Sequence, residues 1–238
     1  MVKLEIGKSQ YHLRTKWKEI PIRTAAKIAK INFALNDPER FEWDRVMAEK
    51  AHEAFELLVD ESLPGKINPV DLEVYFRGFI AWLVYDLQKM NPQEYSVQGI
   101  KKFKFKGETF FLPPDLKIED GFIPAYKETA EVFTEASDLL QNVVNLQDKG
   151  LSYLPALAAT YCRKKGEKYS DEMQLKRAEL FEDLTMDIGW EVFFWACRFS
   201  LTLGKDLISR NHQGIAKPTL RQRLAAWMGL GAGRGSIA

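Results

Sequence analysis

Ile188-Gly-Trp-Glu-Val-Phe-Phe-Trp-Ala-Cys-Arg-Phe-Ser-Leu-Thr-Leu203 is the most apolar run in the chain, and its reading decides the fold. At 16 letters it exceeds an ordinary strand, and its aromatic rings carry the large buried areas that dominate core energetics. It reads as a central helix. Upstream, Leu151-Ser-Tyr-Leu-Pro-Ala-Leu-Ala-Ala-Thr-Tyr-Cys162 reads as a second helix, Arg163 to Lys168 as a charged hinge, and Tyr169 to Leu184 as an amphipathic third.

Working outward, the remaining segments supply more helices and two hairpins. Val2, Leu4 and Ile6 alternate with polar residues, as do Tyr11 and Leu13, predicting a hairpin over residues 2–14. Phe103 and Phe105 alternate with lysine in Lys101-Lys-Phe-Lys-Phe-Lys-Gly-Glu-Thr-Phe-Phe-Leu112, with Gly107 at the turn, predicting a second over 101–112. Pro21 suits a helix first turn, Pro38 to Val59 is amphipathic, and Asn68-Pro69 is a cap followed by proline that opens a helix to Met90. Pro124 to Gln147 and a short segment from Pro218 complete about seven to eight helices. Because an isolated hairpin is marginal in water, the two hairpins are expected to share one small sheet. The expected fold is therefore mainly α (α+β): a single helical domain over 1–228, then a Gly-rich tail over 229–238.

Composition narrows the function classes. The 238 residues are 46 % hydrophobic, enough for a substantial core. Lys plus Arg number 34 against 33 Asp plus Glu, a formal charge of +1, so there is no global pull toward nucleic acid or anionic membrane. No apolar run reaches the roughly 18 to 20 residues of a membrane span. Cys162 and Cys197 lie in apolar runs and read as buried thiols in a reducing compartment.

The search for chemistry yields little. Glu49 and His52 have the Glu-x-x-His spacing that di-metal helical proteins use twice, but it occurs once here, and a solvated face with i, i+4 charge pairs explains it as well. No nucleophile elbow or phosphate-cradling loop appears. No metal, cofactor or catalytic residue is assigned, and the expectation is a protein that is not an enzyme. The lysines around Phe103 and Phe105 could contact single-stranded nucleic acid, but lysines guarding a half-buried strand edge predict the same letters, so nucleic acid is disfavoured. Arg210, Lys217, Arg221, Arg223 and Arg234 make the C-terminal region basic.

Lys16-Trp-Lys-Glu-Ile20, the Phe-x-Phe-x-Gly-x-x-Phe pattern at 103–110, Leu154-Pro-Ala-Leu-Ala158, Arg163-x-x-Gly-Glu-x-Tyr169, Lys176-Arg-Ala-Glu-Leu-Phe181 and Val192-Phe-Phe-Trp195 stand together. In this combination the chain resembles proteins encoded among the tail and virion genes of phages infecting Bacteroidetes, some of which resemble tail assembly chaperones. The resemblance implies a non-enzymatic protein that contacts other phage proteins, tape-measure or tube proteins foremost. It would act in the host cytoplasm during assembly or as a permanent virion subunit such as a ring or connector, and a homo-oligomer is open. A chaperone of this kind would present a groove lined by exposed aromatics to a helical client. Trp17, Trp43 and Trp227 are the aromatic candidates for partner contact, each near an element end among charged residues, and Arg221, Arg223 and Arg234 are the basic ones. Ordinary core packing is the competing explanation for each tryptophan.

Overall fold

A computed structural model describes residues 1–6, 9–60, 67–89, 99–112, 150–167 and 170–211, with backbone only at 9, 89 and 199–211. Among these the protein is mainly α, with two small antiparallel sheets. Strands β1 (Val2–Ile6) and β2 (Ser9–Leu13) form the first hairpin, placing Leu4, Tyr11 and Leu13 in the core. Helix α1 (Ile22–Lys30) begins directly after Pro21, which acts as its N-cap. Helix α2 spans Arg45–Leu58. Helix α3 (Pro69–Tyr75), a π-helical segment (Phe76–Ile80) and α4 (Ala81–Lys89) run on without a break. Strands β3 (Lys102–Phe105) and β4 (Glu108–Phe111) form the second hairpin. Helices α5 (Leu154–Tyr161), α6 (Asp171–Phe181) and α7 (Met186–Asn211) follow.

The hairpins do not share a sheet. Each is its own two-stranded sheet, which corrects the expectation of a four-stranded one. Each finds outside support instead: Leu13 bridges Val59 at the end of α2, and Phe111 bridges Arg163 after α5. The inner faces also pack on helices. Phe103 and Phe110 stack at 5.6 Å, and Phe110 meets Phe181 of α6 edge-on at 5.0 Å. That burial removes the instability of a bare hairpin. The second turn has Lys106 at φ 46° and Gly107 at φ 83°, the double positive φ of a type I′ turn. Lys106 is an unusual residue for that geometry, and its ammonium is anchored 2.9 Å from Asp183.

A second correction concerns Pro38 to Trp43, which is not helical; α2 starts only after Asp44, whose carboxylate accepts from the Met47 N–H at 2.7 Å. Phe41 and Trp43 are used elsewhere. Both rings lie against Phe76, at 5.7 and 5.8 Å, and the Arg77 guanidinium sits 4.2 Å over Phe41 while donating to its carbonyl. The Asn68-Pro69 start is as expected: the Asn68 side chain accepts from the Val70 N–H at 3.0 Å. The helices expected at 124–147 and from 218, and the tail, lie outside the described residues.

Helix α7 is the centre of the fold. Trp190, Val192, Phe193, Trp195 and Ala196 are buried on it, and Trp190 takes Trp17 edge-on at 5.7 Å. The buried residues form one continuous cluster from Leu4 to Ala196. Gly189 lets α7 approach its neighbours: a methyl placed there would lie 3.0 Å from a Leu154 methyl and 3.3 Å from Ile22. Gly78, by contrast, has open space around it. Gly189→Val should therefore destabilise the fold by about 1–3 kcal/mol through overpacking. Gly78→Ala should stabilise it by about 0.5–1 kcal/mol. Urea unfolding of both variants checks the contrast.

Candidate functional site

Helix α3 and the segment following it keep several apolar side chains in water. Val70 is 67 % exposed, Val74 61 % and Phe79 37 %. In a regular α-helix, five residues turn roughly 140° past a full circle, so Phe79 would point away from Val74. The π segment changes this. Its i→i+5 repeat, with the Ala81 N–H donating to the Phe76 carbonyl, widens the turn and reduces that offset. Val70 and Val74 stand one helical turn apart on α3, and Phe79 follows on the π segment. Glu73 of α3 is held 2.8 Å from Arg77.

Between α2 and α3 lies a concavity of about 560 Å³, lined from α2 by Arg45, Ala48, Glu49, His52, Glu53 and Glu56 and from the other side by Ile67, Pro69 and Leu72. This is where the Glu49 and His52 pair belongs. Glu49 is 2.9 Å from Arg45, and His52 Nδ1 is 3.5 Å from Glu56, so each takes an i, i+4 partner on its own helix. His52 Nε2 is shielded and makes no hydrogen bond. Among the described residues no group of three or more His, Cys, Asp or Glu is placed to hold a metal. The groove is aliphatic with a charged rim, not the aromatic groove the resemblance implies.

The other sequence candidates scatter. Trp17 and Trp43 are both half-buried against the core, through Trp190 and Phe76 respectively. They lie on different elements and do not converge. Trp227, Arg221, Arg223 and Arg234 lie outside the described residues. Cys162 and Cys197 are free thiols, and burial raises both, Cys197 to about 12, which keeps them protonated and unreactive at neutral pH. No described helix is long and apolar enough to cross a membrane.

Two polar centres are structural. Arg177, only 6 % exposed, donates to the Cys162 carbonyl at 3.0 Å and to the Glu167 carboxylate, and lies 5.4 Å over Phe110. Beside it, Gln174 donates to the Thr160 hydroxyl at 3.2 Å. Together they fasten the 162–167 loop to α6. Asp183, before α7, ion-pairs with both Lys106 of the hairpin turn and Arg23 of α1 at 2.9 Å. The Lys106 hydrogen bond, aided by the charges of Arg23 and Lys106, holds its carboxyl below the usual range against the opposing effect of burial.

No family model, no curated protein and no solved structure matches the chain.

Arg177→Ala would strand the Glu167 carboxylate and should cost about 3 kcal/mol, much of it recovered by pairing Arg177→Met with Glu167→Gln. Chemical denaturation of the single and double variants checks this. Asp183 has a depressed folded pKa, so its contribution is fully present above the unfolded value and is lost as pH falls through the folded one. Since the side chain is 32 % exposed, that contribution is about 1 kcal/mol or less. The stability gap between wild type and Asp183→Asn should hold constant above about pH 4 and close below it, as read from melting curves across pH.

Proposed function

We propose that the protein is a non-enzymatic phage assembly protein acting by protein–protein contact, in the manner of a tail assembly chaperone. The observation that supports this most is the exposure of Val70, Val74 and Phe79 on α3 and the π segment. Aliphatic side chains left two-thirds exposed in a row on a helix are what a partner surface provides, where a lone exposed residue would mean nothing. The adjoining groove between α2 and α3 suits a second helix laid into it, apolar side toward Ile67 and Leu72. Glu53 and Glu56 on its rim favour a client whose flanks carry Lys or Arg. An apolar helical segment of a tape-measure protein is an occupant of this chemistry. Holding it in the host cytoplasm until the tail tube closes over it would keep that segment from aggregating.

Co-expression with neighbouring tail genes, followed by pull-down, tests the reading. Val70→Glu combined with Val74→Glu should cut capture of a tape-measure or tube protein roughly tenfold or more. Being at exposed positions, the pair should leave stability within about 0.5 kcal/mol per site. Capture of nothing, or capture indifferent to the two substitutions, overturns it. Stoichiometric presence in purified particles would replace the chaperone reading with that of a virion subunit.

A further inference from the structure

The first hairpin is paired on one side only. Strand β2 lies between β1 and, through Leu13, Val59 at the end of α2. Among the described residues no strand pairs with the other side of β1. The hydrogen bonds of β2 fix which backbone groups of β1 face that open side. The His12 carbonyl turns away from β1 and accepts from the Asp60 N–H at 3.3 Å, and the Arg14 N–H donates to the Leu58 carbonyl at 3.0 Å. Lys3, opposite His12, is therefore in a non-hydrogen-bonded pair, and its own N–H and C=O turn to the open edge. Glu5, two residues on, does the same. Its carbonyl accepts from the Tyr75 hydroxyl at 3.1 Å, which uses one of two lone pairs.

The side chains follow the same alternation. Lys3 and Glu5 are exposed on the outer face, where Gln10 donates to Glu5 at 3.3 Å. Leu4 is buried on the inner face, with Val2 and Ile6 half-buried to either side. Three antiparallel registers of a second β1 set these outward residues against one another. Lys3 against Lys3, or Glu5 against Glu5, opposes like charges, which is destabilising. The third sets Lys3 against Glu5 twice, with Leu4 against Leu4 between them. It pairs the outward N–H and C=O of both residues on both chains, about four hydrogen bonds. It also brings Val2 of each chain beside Ile6 of the other, extending the apolar inner face across the joint. Strand β3 carries Lys102 and Lys104 at the corresponding positions, so every such register there would oppose lysines, a common guard of an exposed edge.

We infer that β1 is a self-association edge. A second copy of this chain pairs its own β1 antiparallel with it, Lys3 to Glu5, across a twofold axis through Leu4, and two hairpins become one four-stranded sheet. This goes beyond the chaperone reading and does not rest on it.

Sedimentation velocity on the full chain, loaded from about 5 to 500 µM, tests it, since a joint of this size is at the weak end of specific interfaces. Expected is a monomer–dimer equilibrium within that range. Lys3→Glu alone and Glu5→Lys alone should each weaken it about tenfold or more, because the twofold axis repeats each like-charge opposition. Mixed together, the two variant chains present opposite charges to each other and should form a heterodimer at about the wild-type strength. Lys3→Pro removes an N–H that faces water in the single chain, a position where an edge strand tolerates proline. It should weaken the dimer about tenfold or more with little change in the melting curve. The charge changes are at exposed positions and cover the case in which Lys3→Pro folds poorly. Val70→Glu with Val74→Glu should leave the dimer unchanged. A chain that stays monomeric at the highest loading overturns the inference. So does a dimer indifferent to Lys3→Pro and to both single charge changes, or one that Val70→Glu with Val74→Glu abolishes, since either result places the contact on another surface.

Discussion

Two helix starts, about 160 residues apart in the chain, satisfy one another's neighbourhood, and the rest of the structure depends on that exchange. The first N–H groups of a helix have no partner within it. Pro21 removes one such donor, and the next two, on Ile22 and Arg23, donate to the carbonyls of Leu184 at 2.7 Å and Glu182 at 3.0 Å. In return the Met186 N–H, at the start of α7, donates to the Ile20 carbonyl at 2.8 Å. Buried, such donors would each cost about 1–3 kcal/mol if left unpaired. Gly189 lies one turn further along α7, where an added methyl would press on Leu154 at 3.0 Å and Ile22 at 3.3 Å. The backbone exchange sets the height of α7 against α1, and the glycine sets the distance. Trp190 then falls under Trp17, and a single apolar cluster runs from Leu4 to Ala196.

Much of this could be read from local signals. Asn68-Pro69, the alternation in both hairpins, Gly107 and the apolar run ending at Leu203 each specify an element through neighbours a few residues away. The misreadings share a cause. Pro38 to Trp43 has helical composition, but Phe76 and Arg77 draw Phe41 and Trp43 into an extended path, a tertiary contact that outweighs propensity. The hairpins were expected to support each other, yet each found a nearer partner, Val59 or Arg163, in a segment with no strand-like pattern. The surfaces were harder still. Val70 and Val74 are visible as an i, i+4 pair, but no letter announces the π turn that carries Phe79. The tryptophans that stood out by rarity turned out to lean on the core.

The polar groups inside the fold act on the loop between α5 and α6. Gln174 and Arg177 sit one helical turn apart on α6 and are nearly excluded from water. Their partners, Thr160, Cys162 and Glu167, all lie at the end of α5 or just beyond it. An apolar pair at these positions would bind the two helices at least as tightly but would leave the 162–167 loop free to shift. With Arg177 reaching both a backbone carbonyl and a carboxylate, one register of that loop is selected. Arg163 is in that loop, so its pairing with Phe111 is inherited from a side chain on another helix.

This inheritance explains how a surface can be held as firmly as a core. In a strand, burying one residue fixes which way its neighbours point. Phe103 and Phe110 are committed to Phe181, and Phe181 to the interior beneath α7. Lys102, Lys104 and Phe111 consequently have no choice of side. A one-residue slip would bury the lysines and expose two rings, a penalty far above anything a surface contact returns. The Lys106 turn adds a second constraint, since its positive φ is anchored by the same Asp183 that meets Arg23 of α1. The hairpin is thus tied to both partners in the exchange that joins the starts of α1 and α7. The outward side chains of this hairpin are therefore ordered by the same contacts that build the interior.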